Sequence, residues 1–478
     1  MKILFIFPNW TSVFGNFSRI AKKASSFPPL NLSLLAAIAE KDGHAVQIID
    51  AELESLSNEH ILERVKNISP DIIGFTATSP MFSKVVDSAN KIKENFDIPI
   101  IVGGPHATIV KEKAFEDCFD FLFIGEADKT FHLFLEKFQK GGDFSSVPGL
   151  LIKKNNEILF TGDPEPITDL DKIPFPVRRL LKVEEYKVGT LRGEKVYTSI
   201  MFSRGCPFSC IYCSIKVFGN KVRRRTVNNL VAEIESVVKD FNIRHFFFID
   251  DVLTLDRNYI LNFCDEIDKR KIKITFEGST RANLVDDELI KRLAQCGLIR
   301  ISFGLETADP EIRRIIKKGV PLESYVEANK LTNKYGIETI NSVMLGLPGE
   351  TYETIKRTIS FLRKSKEIQH ATYGIAMPYP GTEFFEMAKR QEYGLKLHTE
   401  DFSKYQRYES AVLSVNNITP EEFIRLQKIG LLKIYLVPWR IYPTIKRFGI
   451  RALISPLFVS LKIFIKNLFS HKKSNLIL

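Results

Sequence analysis

The chain alternates short apolar runs with longer amphipathic stretches, and this alternation occurs in two separate regions. Short apolar runs predict buried strands, and apolar residues three and four positions apart predict helices. Because strands and helices alternate, each region predicts a mainly parallel sheet with helices packed against it. The predicted strands are 3–7, 45–49, 71–77, 98–102 and 119–124, then 197–203, 245–249, 273–276, 299–303, 339–345 and 372–377. The predicted helices are 30–41, 59–67, 81–95, 111–118 and 128–139, then 227–241, 257–269, 286–296, 322–334 and 352–365.

The pattern divides the chain into four parts, 1–140, 141–195, 196–390 and 391–478. Five βα units in the first part predict a doubly wound, Rossmann-like α/β sheet. The second part predicts a small β excursion, with Asn155 and Asn156 at a hairpin turn, and then an extended proline-rich linker. The third part predicts six βα units, and the fourth predicts a helical C-terminal region.

Composition predicts a protein of two or three domains with sizeable cores, because 478 residues are 44% hydrophobic and 26% charged. The first apolar run closes at Pro8, which makes it too short for a signal peptide. No apolar stretch approaches the roughly 20 residues of a membrane span. We therefore expect a cytoplasmic protein without a transmembrane helix.

The net charge of +11 is concentrated at the C-terminus. No acidic residue follows Glu422, whereas eleven bases do: Arg425, Lys428, Lys433, Arg440, Lys446, Arg447, Arg451, Lys462, Lys466, Lys472 and Lys473. Removing these eleven from the 68 Lys and Arg leaves 57, which balances the 57 acids. Apolar residues at 453, 457, 461, 465 and 468 predict an amphipathic basic helix, which could either lie on an anionic membrane or pack on the second domain. The charge thus indicates no nucleic-acid partner.

The candidate chemistry begins at Cys206, Cys210 and Cys213, which follow the first strand of the second region. Three thiols with the spacing C-x3-C-x2-C can bind three irons of a 4Fe-4S cluster and leave the fourth iron open. Structural zinc is the alternative, but it needs a fourth ligand, and no other Cys or His lies close by in the sequence. A disulfide is disfavoured because six cysteines without a secretory signal indicate a reducing compartment. The remaining cysteines, at 118, 264 and 296, are expected to be core thiols.

The segment from Arg204 through Cys213, with the aromatic Tyr212 before its last cysteine, resembles the cluster motif of the radical S-adenosylmethionine (SAM) enzymes. The resemblance implies that the six βα units form a partial (β/α)6 barrel with its chemistry at the carboxyl ends of the strands. It also implies roles for polar residues at those ends. Asp250 or Asp251 would approach the SAM amino group, Arg281 its carboxylate, and Ser279 and Glu306 its ribose. Tyr212 and the loop containing Gly346 and Gly349 would flank the adenine.

Glycine and small polar residues follow the strands of the first region and allow close approach of a large ligand. Together with the run Pro28-Pro29-Leu30, these loops resemble the cobalamin-binding domain that precedes the barrel in one radical SAM subclass. The resemblance implies cobalamin contacts from Thr78, Ser79, Gly103, Gly104, His106, Gly125 and Glu126. The Asp-x-His-x-x-Gly motif of other cobalamin enzymes is absent, and Asn31 replaces the glycine common after Pro-Pro-Leu. For His106, a place as a helix-entry residue is favoured over direct contact with cobalt.

The resemblance implies reductive cleavage of SAM at the 4Fe-4S cluster to a 5′-deoxyadenosyl radical that abstracts hydrogen from an unactivated carbon. With cobalamin present, the leading expectation is methyl transfer to that carbon, on a lipid or another small molecule. A radical SAM cyclase, isomerase or oxidoreductase with cobalamin in another role, or without it, is the alternative. A non-catalytic cobalamin and cluster sensor is a third possibility. The expected partners are an electron donor such as flavodoxin or ferredoxin and, through the tail, the inner face of a membrane.

Overall fold

A computed structural model of the chain describes residues 1–11, 27–155, 157–190, 193–214, 217–405 and 410–441. The predicted amphipathic tail helix and Asn156 of the predicted hairpin turn lie outside these ranges. Within them, no helix combines the length and the apolar character needed to cross a bilayer.

The first domain is built on a seven-stranded sheet in the order β2-β1-β3-β4-β5-β6-β7. The first five strands in this order are parallel, and the hairpin β6–β7 continues the sheet antiparallel to β5. The predicted doubly wound sheet is therefore confirmed. The strands are β1 Lys2–Phe7, β2 Ala45–Asp50, β3 Ile72–Thr76, β4 Ile100–Gly103, β5 Phe121–Phe123, β6 Leu150–Lys154 and β7 Glu157–Phe160. The helices are Leu30–Lys41, Ala51–Glu54, Asn58–Ile68, Phe82–Asn95, Pro105–Val110 and Ala127–Gln139.

Helices cover both faces of this sheet, which explains the continuous apolar runs of its strands. In β1, Leu4 and Ile6 enter the core on one face, while Ile3 and Phe5 enter the core on the other. The carboxyl ends of the parallel strands consequently meet at one edge, where the glycine-containing loops lie.

The predicted helix 111–118 is wrong, because the chain forms a helix at Pro105–Val110 and then a 3-10 turn at Lys111–Ala114. Pro105 occupies the first helical position, where its fixed φ and missing N–H fit a helix start. Lys111 has φ of 55°, a left-handed conformation that ends the helix after one and a half turns.

Residues 161–186 connect the domains through extended chain and short 3-10 turns, followed by the hairpin of β8 Lys187–Thr190 and β9 Gly193–Val196. The connection is tied to the first domain, since the Val177 amide donates to the Ser33 carbonyl at 3.0 Å. It is also tied to the second, since Arg178 forms a buried ion pair with Glu233 at 2.7 Å.

The second domain contains six parallel strands in the order β10-β13-β14-β15-β16-β17, as expected for a partial (β/α)6 barrel. The strands are β10 Thr198–Ile200, β13 His245–Phe248, β14 Thr275–Thr280, β15 Leu298–Glu306, β16 Glu338–Leu345 and β17 Ala371–Ile375. The helices are Val227–Phe241, Arg257–Lys269, Asp287–Cys296, Pro310–Ile315, Leu322–Lys334, Tyr352–Lys364 and Glu383–Lys389. Two short strands, β11 Ser203–Arg204 and β12 Arg223–Arg224, form a separate ribbon next to the strand ends.

The C-terminal region covers the edge strand β17 of the barrel. It contains a hairpin, β18 Leu395–Leu397 and β19 Leu413–Val415, and the helix Pro420–Tyr435. Gln427 and Tyr435 of this helix donate to carbonyls of β17, each at 2.8 Å. Arg440 is fully buried beyond the helix and donates to the carbonyls of Leu362, Ser365 and Ile368.

Candidate functional site

The three motif cysteines lie in one loop that the ribbon β11–β12 closes. Ser203 pairs with Arg224 and Arg204 with Arg223, so both ends of the loop are held together. Gly205 opens the loop with φ of 96°, and a Cβ there would stand 2.5 Å from the Lys221 carbonyl oxygen. Only glycine fits that turn without moving the chain.

The cysteine side chains differ from the other thiols of the chain in exposure. Cys206 and Cys210 are half-buried and Cys213 is exposed, whereas the cysteines at 118, 264 and 296 are buried. Although the Cys213 residue as a whole is exposed, desolvation of its thiol and the nearby Asp251 charge raise its pKa to about 11. Ordinary conditions therefore leave this thiol protonated until a metal replaces the proton. Among the described residues, no group of three or more His, Cys, Asp or Glu side chains is arranged around a single ion position.

Arg281 places a buried cation beside the cysteines. Its Nη1 lies 3.7 Å from the Cys210 Sγ, and its guanidinium lies 3.7 Å from the centre of the Phe208 ring. It also donates to the Lys318 carbonyl. Its Nε has no acceptor in the ranges given above. A buried donor left over next to three thiols fits an anionic group bound between them.

Glu306, Lys318 and Tyr212 form a connected polar group at the mouth of the barrel. The Lys318 ammonium lies 3.0 Å from Glu306 Oε1 and 3.2 Å from the Tyr212 hydroxyl, which itself donates to Glu306 Oε1 at 3.1 Å. The Lys318 and Glu306 side chains are only 8% and 9% exposed. Burial acts to lower the pKa of Lys318, but the attraction of Glu306 outweighs it and leaves the pKa raised. Lys318 is a site residue that the sequence analysis missed.

The two aspartates after β13 have different surroundings. Asp250 is buried and accepts from the Phe202 amide at 3.1 Å and from the Ser203 amide and hydroxyl, each at 2.6 Å. Burial raises the pKa of Asp250 to about 7. Asp251 is exposed, and its charge contributes to the raised pKa of Cys206. Asp250 thus fixes the chain that enters the cysteine loop, while Asp251 is accessible near the thiols.

Three further predicted SAM contacts lie at the ends of β14 and β16. Ser279 is half-buried in β14, and its carbonyl accepts from Leu253 at 2.8 Å. Gly346 and Gly349 have φ of 91° and 82° in a tight loop. The buried Glu350 carboxylate holds this loop by accepting from the Gly346 amide at 2.6 Å and from the next amide at 3.2 Å. Burial raises the pKa of Glu350 to about 8.

A cavity of about 470 Å³ lies between the two domains. Five predicted cobalamin contacts line it, namely Thr78, Gly103, Gly104, Gly125 and Glu126. Gly104 has φ of 103°, and a Cβ there would stand 2.8 Å from the Ala77 carbonyl oxygen. Asn31 also lines the cavity and donates to the Thr76 hydroxyl at 2.7 Å.

Ser79 and His106 do not line this cavity. Their side chains bond to each other at 3.0 Å, and the His106 ring packs 4.1 Å from the Phe82 ring and 5.3 Å from the Phe402 ring. Burial lowers the pKa of His106 to about 4, so the ring is neutral. His106 therefore lies in the first turn of its helix as a packed residue.

The second domain supplies the opposite wall of the cavity. Met201, Arg204, Phe218 and Ile249 line it, and Arg204 is two residues before Cys206. The Nε of Arg204 and the hydroxyl of Ser199 are buried at this wall without partners in the part of the chain that the structure covers. Arg204, at the start of the cysteine loop, is consequently also part of the cavity wall.

Two family models match the chain in the places that this geometry indicates. The model of the radical SAM superfamily matches residues 200–362, and that of the B12 binding domain matches residues 19–135. The first range begins at the last residue of β10 and contains the three cysteines and the strands β11 through β16. The second contains the cavity loops that follow the strands of the first domain.

Similar proteins share nearly the full length of the chain. An uncharacterized methyltransferase of Pyrococcus horikoshii is 31% identical over 445 residues, which cover 92% of this chain and 93% of that protein. The anaerobic magnesium-protoporphyrin IX monomethyl ester cyclase of Rubrivivax gelatinosus is 29% identical over 85% of this chain and 72% of its own length. The structure of the radical SAM methyltransferase TsrM from Kitasatospora setae, with cobalamin and a 4Fe-4S cluster bound, shares the fold with a TM-score of 0.71, at 17% identity over 91% of this chain and 89% of that one. The chain therefore belongs to the radical SAM superfamily of enzymes, in the branch that carries an N-terminal B12-binding domain.

Proposed function

We propose that this enzyme transfers a methyl group to an unactivated carbon of a small molecule. The family's cofactors are a 4Fe-4S cluster, SAM and cobalamin. The observation that carries the proposal is the wall shared by the two sites, because Arg204 lines the interdomain cavity and leads directly into the cysteine loop. When bound, the cluster would supply an electron for the cleavage of SAM to a carbon radical, and cobalamin would supply the methyl group.

The cluster is proposed to take one thiolate from each of Cys206, Cys210 and Cys213, which leaves one iron for SAM. Arg281 supports this assignment because it already contacts Cys210 and has a buried Nε without an acceptor among the described residues. Its positive charge would stabilise an anionic cluster in this half-buried place.

We assign the SAM contacts to the polar groups at the barrel mouth. Arg281 and Lys318 are the cations available for the SAM carboxylate, and Glu306 is available for the ribose hydroxyls. Asp251 is favoured over Asp250 for the amino group, because the Asp250 carboxylate already accepts three hydrogen bonds. Glu306 and Lys318 form an ion pair at 3.0 Å, and the charged groups of SAM would replace that pairing.

Two other groups complete the proposed SAM site. Ser279 would bond the ribose from β14. The tight loop at Gly346 and Gly349, together with Tyr212, would flank the adenine, since a loop without side chains at its turns lets a ring approach the backbone.

Cobalamin is proposed to occupy the interdomain cavity, where Thr78, Gly103, Gly104, Gly125 and Glu126 form the first domain's side. The Arg204 Nε and the Ser199 hydroxyl have no partner within the described ranges, and they fit a ligand that carries amide oxygens because buried polar groups are normally hydrogen-bonded. Ser79 and His106 support this wall from behind it.

The products of SAM distinguish methyl transfer from the alternative. Anaerobically reconstituted protein with reductant and a candidate substrate is expected to form 5′-deoxyadenosine and, only when cobalamin is present, S-adenosylhomocysteine. Cys210→Ala should abolish the first product, whereas Cys118→Ala, which changes a buried thiol outside the motif, should not. Formation of 5′-deoxyadenosine without S-adenosylhomocysteine would favour a cyclase or isomerase, the class to which the Rubrivivax relative belongs.

We also propose a lipid as the substrate class, with the C-terminal region on the cytoplasmic face of an anionic membrane. Leu436, Trp439 and Ile441 are 43%, 41% and 37% exposed, although each is large and apolar. The buried Arg440 fixes the chain between them. The sequence after Ile441 contains seven Lys and Arg and no acid, which suits an anionic lipid surface.

Liposome flotation tests the membrane contact. Full-length protein is expected to float with phosphatidylglycerol vesicles at low salt and to be released by high salt. Replacing Leu436, Trp439 and Ile441 by serine should reduce flotation. The same replacement at Leu133, Ile158 and Leu159, each 38% exposed on the first domain, serves as the matched control. Equal flotation of both variants would defeat the membrane proposal and leave the methyl-transfer proposal untouched.

Radical SAM enzymes act on small molecules and need an electron donor. We propose flavodoxin or ferredoxin as the donor, since both are small acidic carriers. Exposed Cys213 and the exposed Lys221 make the cysteine loop reachable. Reduction of the cluster by flavodoxin should slow with added salt and in Lys221→Glu, and a rate independent of both would contradict this docking site.

A further inference from the structure

Four charged side chains connect the two domains at the cavity wall, and we call them the interdomain ion cluster: Glu126, Asp128, Arg204 and Arg223. Arg204 Nη1 lies 2.6 Å from Glu126 Oε2 and 2.7 Å from Asp128 Oδ2, and its Nη2 lies 3.1 Å from Asp128 Oδ1. Arg223 pairs with both carboxylate oxygens of Glu126. All four side chains are at most 7% exposed.

The acids come from the first domain and the bases from the second, so the ion cluster fixes how the domains meet. Two negative and two positive charges balance each other away from water. Removing one of these four side chains leaves an uncompensated buried charge, so each of them is needed for the others. The fork of Arg204 bonds two carboxylates at once, a geometry that a lysine cannot reproduce.

The two arginines stand at the two ends of the cysteine loop. Arg204 and Arg223 face each other across the ribbon β11–β12, and the cysteine loop, described at 205–214 and 217–222, lies between them. Glu126 therefore holds both ends of the loop through one carboxylate. At the base of the loop the Cys206 amide donates to the Gly219 carbonyl at 3.2 Å, and Gly205 leaves no room for a side chain. A shift of Glu126 would move the segment that carries the first cysteine.

The same side chains face the interdomain cavity. Glu126, Asp128 and Arg204 are among the residues that line it, and the Arg204 guanidinium lies 5.5 Å from the ring of Phe218, another lining residue. The Arg204 Nε is buried and has no acceptor within the residues that the structure describes. A ligand that fills this part of the cavity would therefore lie against the groups that hold the cysteine loop.

We propose that Glu126, Arg204 and Arg223 are positioning residues that couple occupancy of the interdomain cavity to the geometry of the cysteine loop. This inference rests on the proposed function, because it takes cobalamin as the occupant of the cavity and the 4Fe-4S cluster as the occupant of the loop. When one cofactor binds, it holds the shared ion cluster in place. The second cofactor then binds to a site whose wall is already positioned. By thermodynamic reciprocity the two effects on affinity are equal.

The test titrates hydroxocobalamin, followed by its visible absorbance, into full-length protein with and without a reconstituted 4Fe-4S cluster. Couplings between two sites are typically about 5- to 150-fold in affinity, so cluster-loaded protein is expected to bind at least about fivefold more tightly. In Glu126→Gln this ratio should fall to about one, since the neutral amide no longer binds both arginines. Glu40→Gln, which weakens the exposed pair between the first domain and Arg179 of the connecting segment, should keep the native ratio.

A second measurement requires neither SAM nor a substrate. A chelator should remove iron more slowly from native protein when hydroxocobalamin is present, and this protection should be lost in Glu126→Gln. If that variant does not fold, Arg223→Lys keeps the charge and should lower the affinity ratio below the native value.

The outcomes separate this inference from the proposed function. A native ratio of one, or a native ratio retained in Glu126→Gln, overturns the coupling while leaving cobalamin binding intact. Native protein that binds no hydroxocobalamin overturns the proposed cobalamin site and the coupling together.

Discussion

Replacing Lys318 by methionine tests the assignment of the barrel mouth most sharply. Methionine keeps much of the length of the side chain and removes its charge, so Glu306 loses its cation. At the 3.0 Å separation of Nζ and Oε1, the Coulomb attraction is about 5.5 kcal/mol for an effective dielectric of about 20. Much of this is offset by desolvation, but stranding one member of a buried pair still costs about 3–5 kcal/mol. We therefore expect a lower free energy of unfolding for Lys318→Met.

The same variant should bind SAM weakly. A hydrogen bond to a charged group contributes about 1.5–3 kcal/mol, which corresponds to a Kd about 10- to 150-fold higher when the bond is lost. The assay measures SAM binding to anaerobic, cluster-loaded protein, with iron content determined on the same sample. Iron content should stay near that of the native protein, because the Lys318 ammonium bonds Tyr212 and Glu306 and acts on Cys210 and Cys213 only through its charge.

Two further variants identify the cause of any loss. Lys318→Met combined with Glu306→Gln removes the stranded charge, so it should recover stability without recovering SAM affinity. Lys317→Met changes the neighbouring lysine, which pairs with Glu383 at the surface, and should alter neither quantity by much. Native SAM affinity in Lys318→Met would refute the reasoning and leave Lys318 as a structural cation only.

Three other predictions extend the account to the loop and the strand ends. The Glu350 carboxyl has a pKa of about 8 in the folded protein against an ordinary value of 4.5. Its contribution to stability is therefore complete below pH 4.5 and is lost as the pH rises through 8, by about 1.4 kcal/mol per pH unit. Glu350→Gln should flatten this fall when the free energy of unfolding is measured with urea. Gly205→Ala should lower the iron bound after reconstitution because its Cβ meets a carbonyl oxygen, whereas Gly219→Ala, with φ of 77° but open space, should retain most of the iron; equal iron in both would show that the clash is relieved. Asp250→Ala leaves the Phe202 and Ser203 amides without an acceptor and should lower the free energy of unfolding by about 1–3 kcal/mol for each. Asp251→Ala should leave the free energy of unfolding unchanged and weaken SAM binding instead. The reverse pattern would contradict the assignment of Asp251.

The strands could be predicted because helices cover both faces of the first sheet and a packed core fills the second. Apolar residues then run continuously, as in β1, and the run itself marks the strand. β15 is longer than predicted, because it continues past the apolar residues to Glu306. Its pairing with β16 shifts register between Gly304 and Glu306, next to the site. Such an extension depends on the neighbouring strand, which a local pattern does not describe.

The helix near Lys111 could not be predicted from periodicity. The residues from 111 to 118 have apolar spacing suited to a helix, yet the chain starts its helix earlier at Pro105 and leaves it through a left-handed residue. Similarly, the hairpin β6–β7 was expected between the domains, and its pairing with β5 at the edge of the first sheet is a long-range contact.

In the candidate site, too, contacts between residues far apart in the sequence could not be predicted. The cysteines and the strand-end residues Arg281 and Glu306 could be named from one motif and the order of strands. Lys318 is in a loop without such a signal, and it joins the site only because Glu306, twelve residues earlier, needs a buried cation. Glu126 was predicted as a cobalamin contact, but its pairing with Arg204 spans 78 residues and requires the assembled domains. Ser79 and His106 share a strand-end loop region with cavity residues, yet their side chains pack behind the wall.

The most direct test of the central claim is the fate of SAM on the reconstituted enzyme. Anaerobic protein with iron, sulfide and a reductant is predicted to cleave SAM to 5′-deoxyadenosine and methionine, and Cys210→Ala is predicted to lose both the cluster absorbance and this cleavage. Stoichiometric zinc in place of iron, or undiminished 5′-deoxyadenosine from Cys210→Ala, would contradict the account.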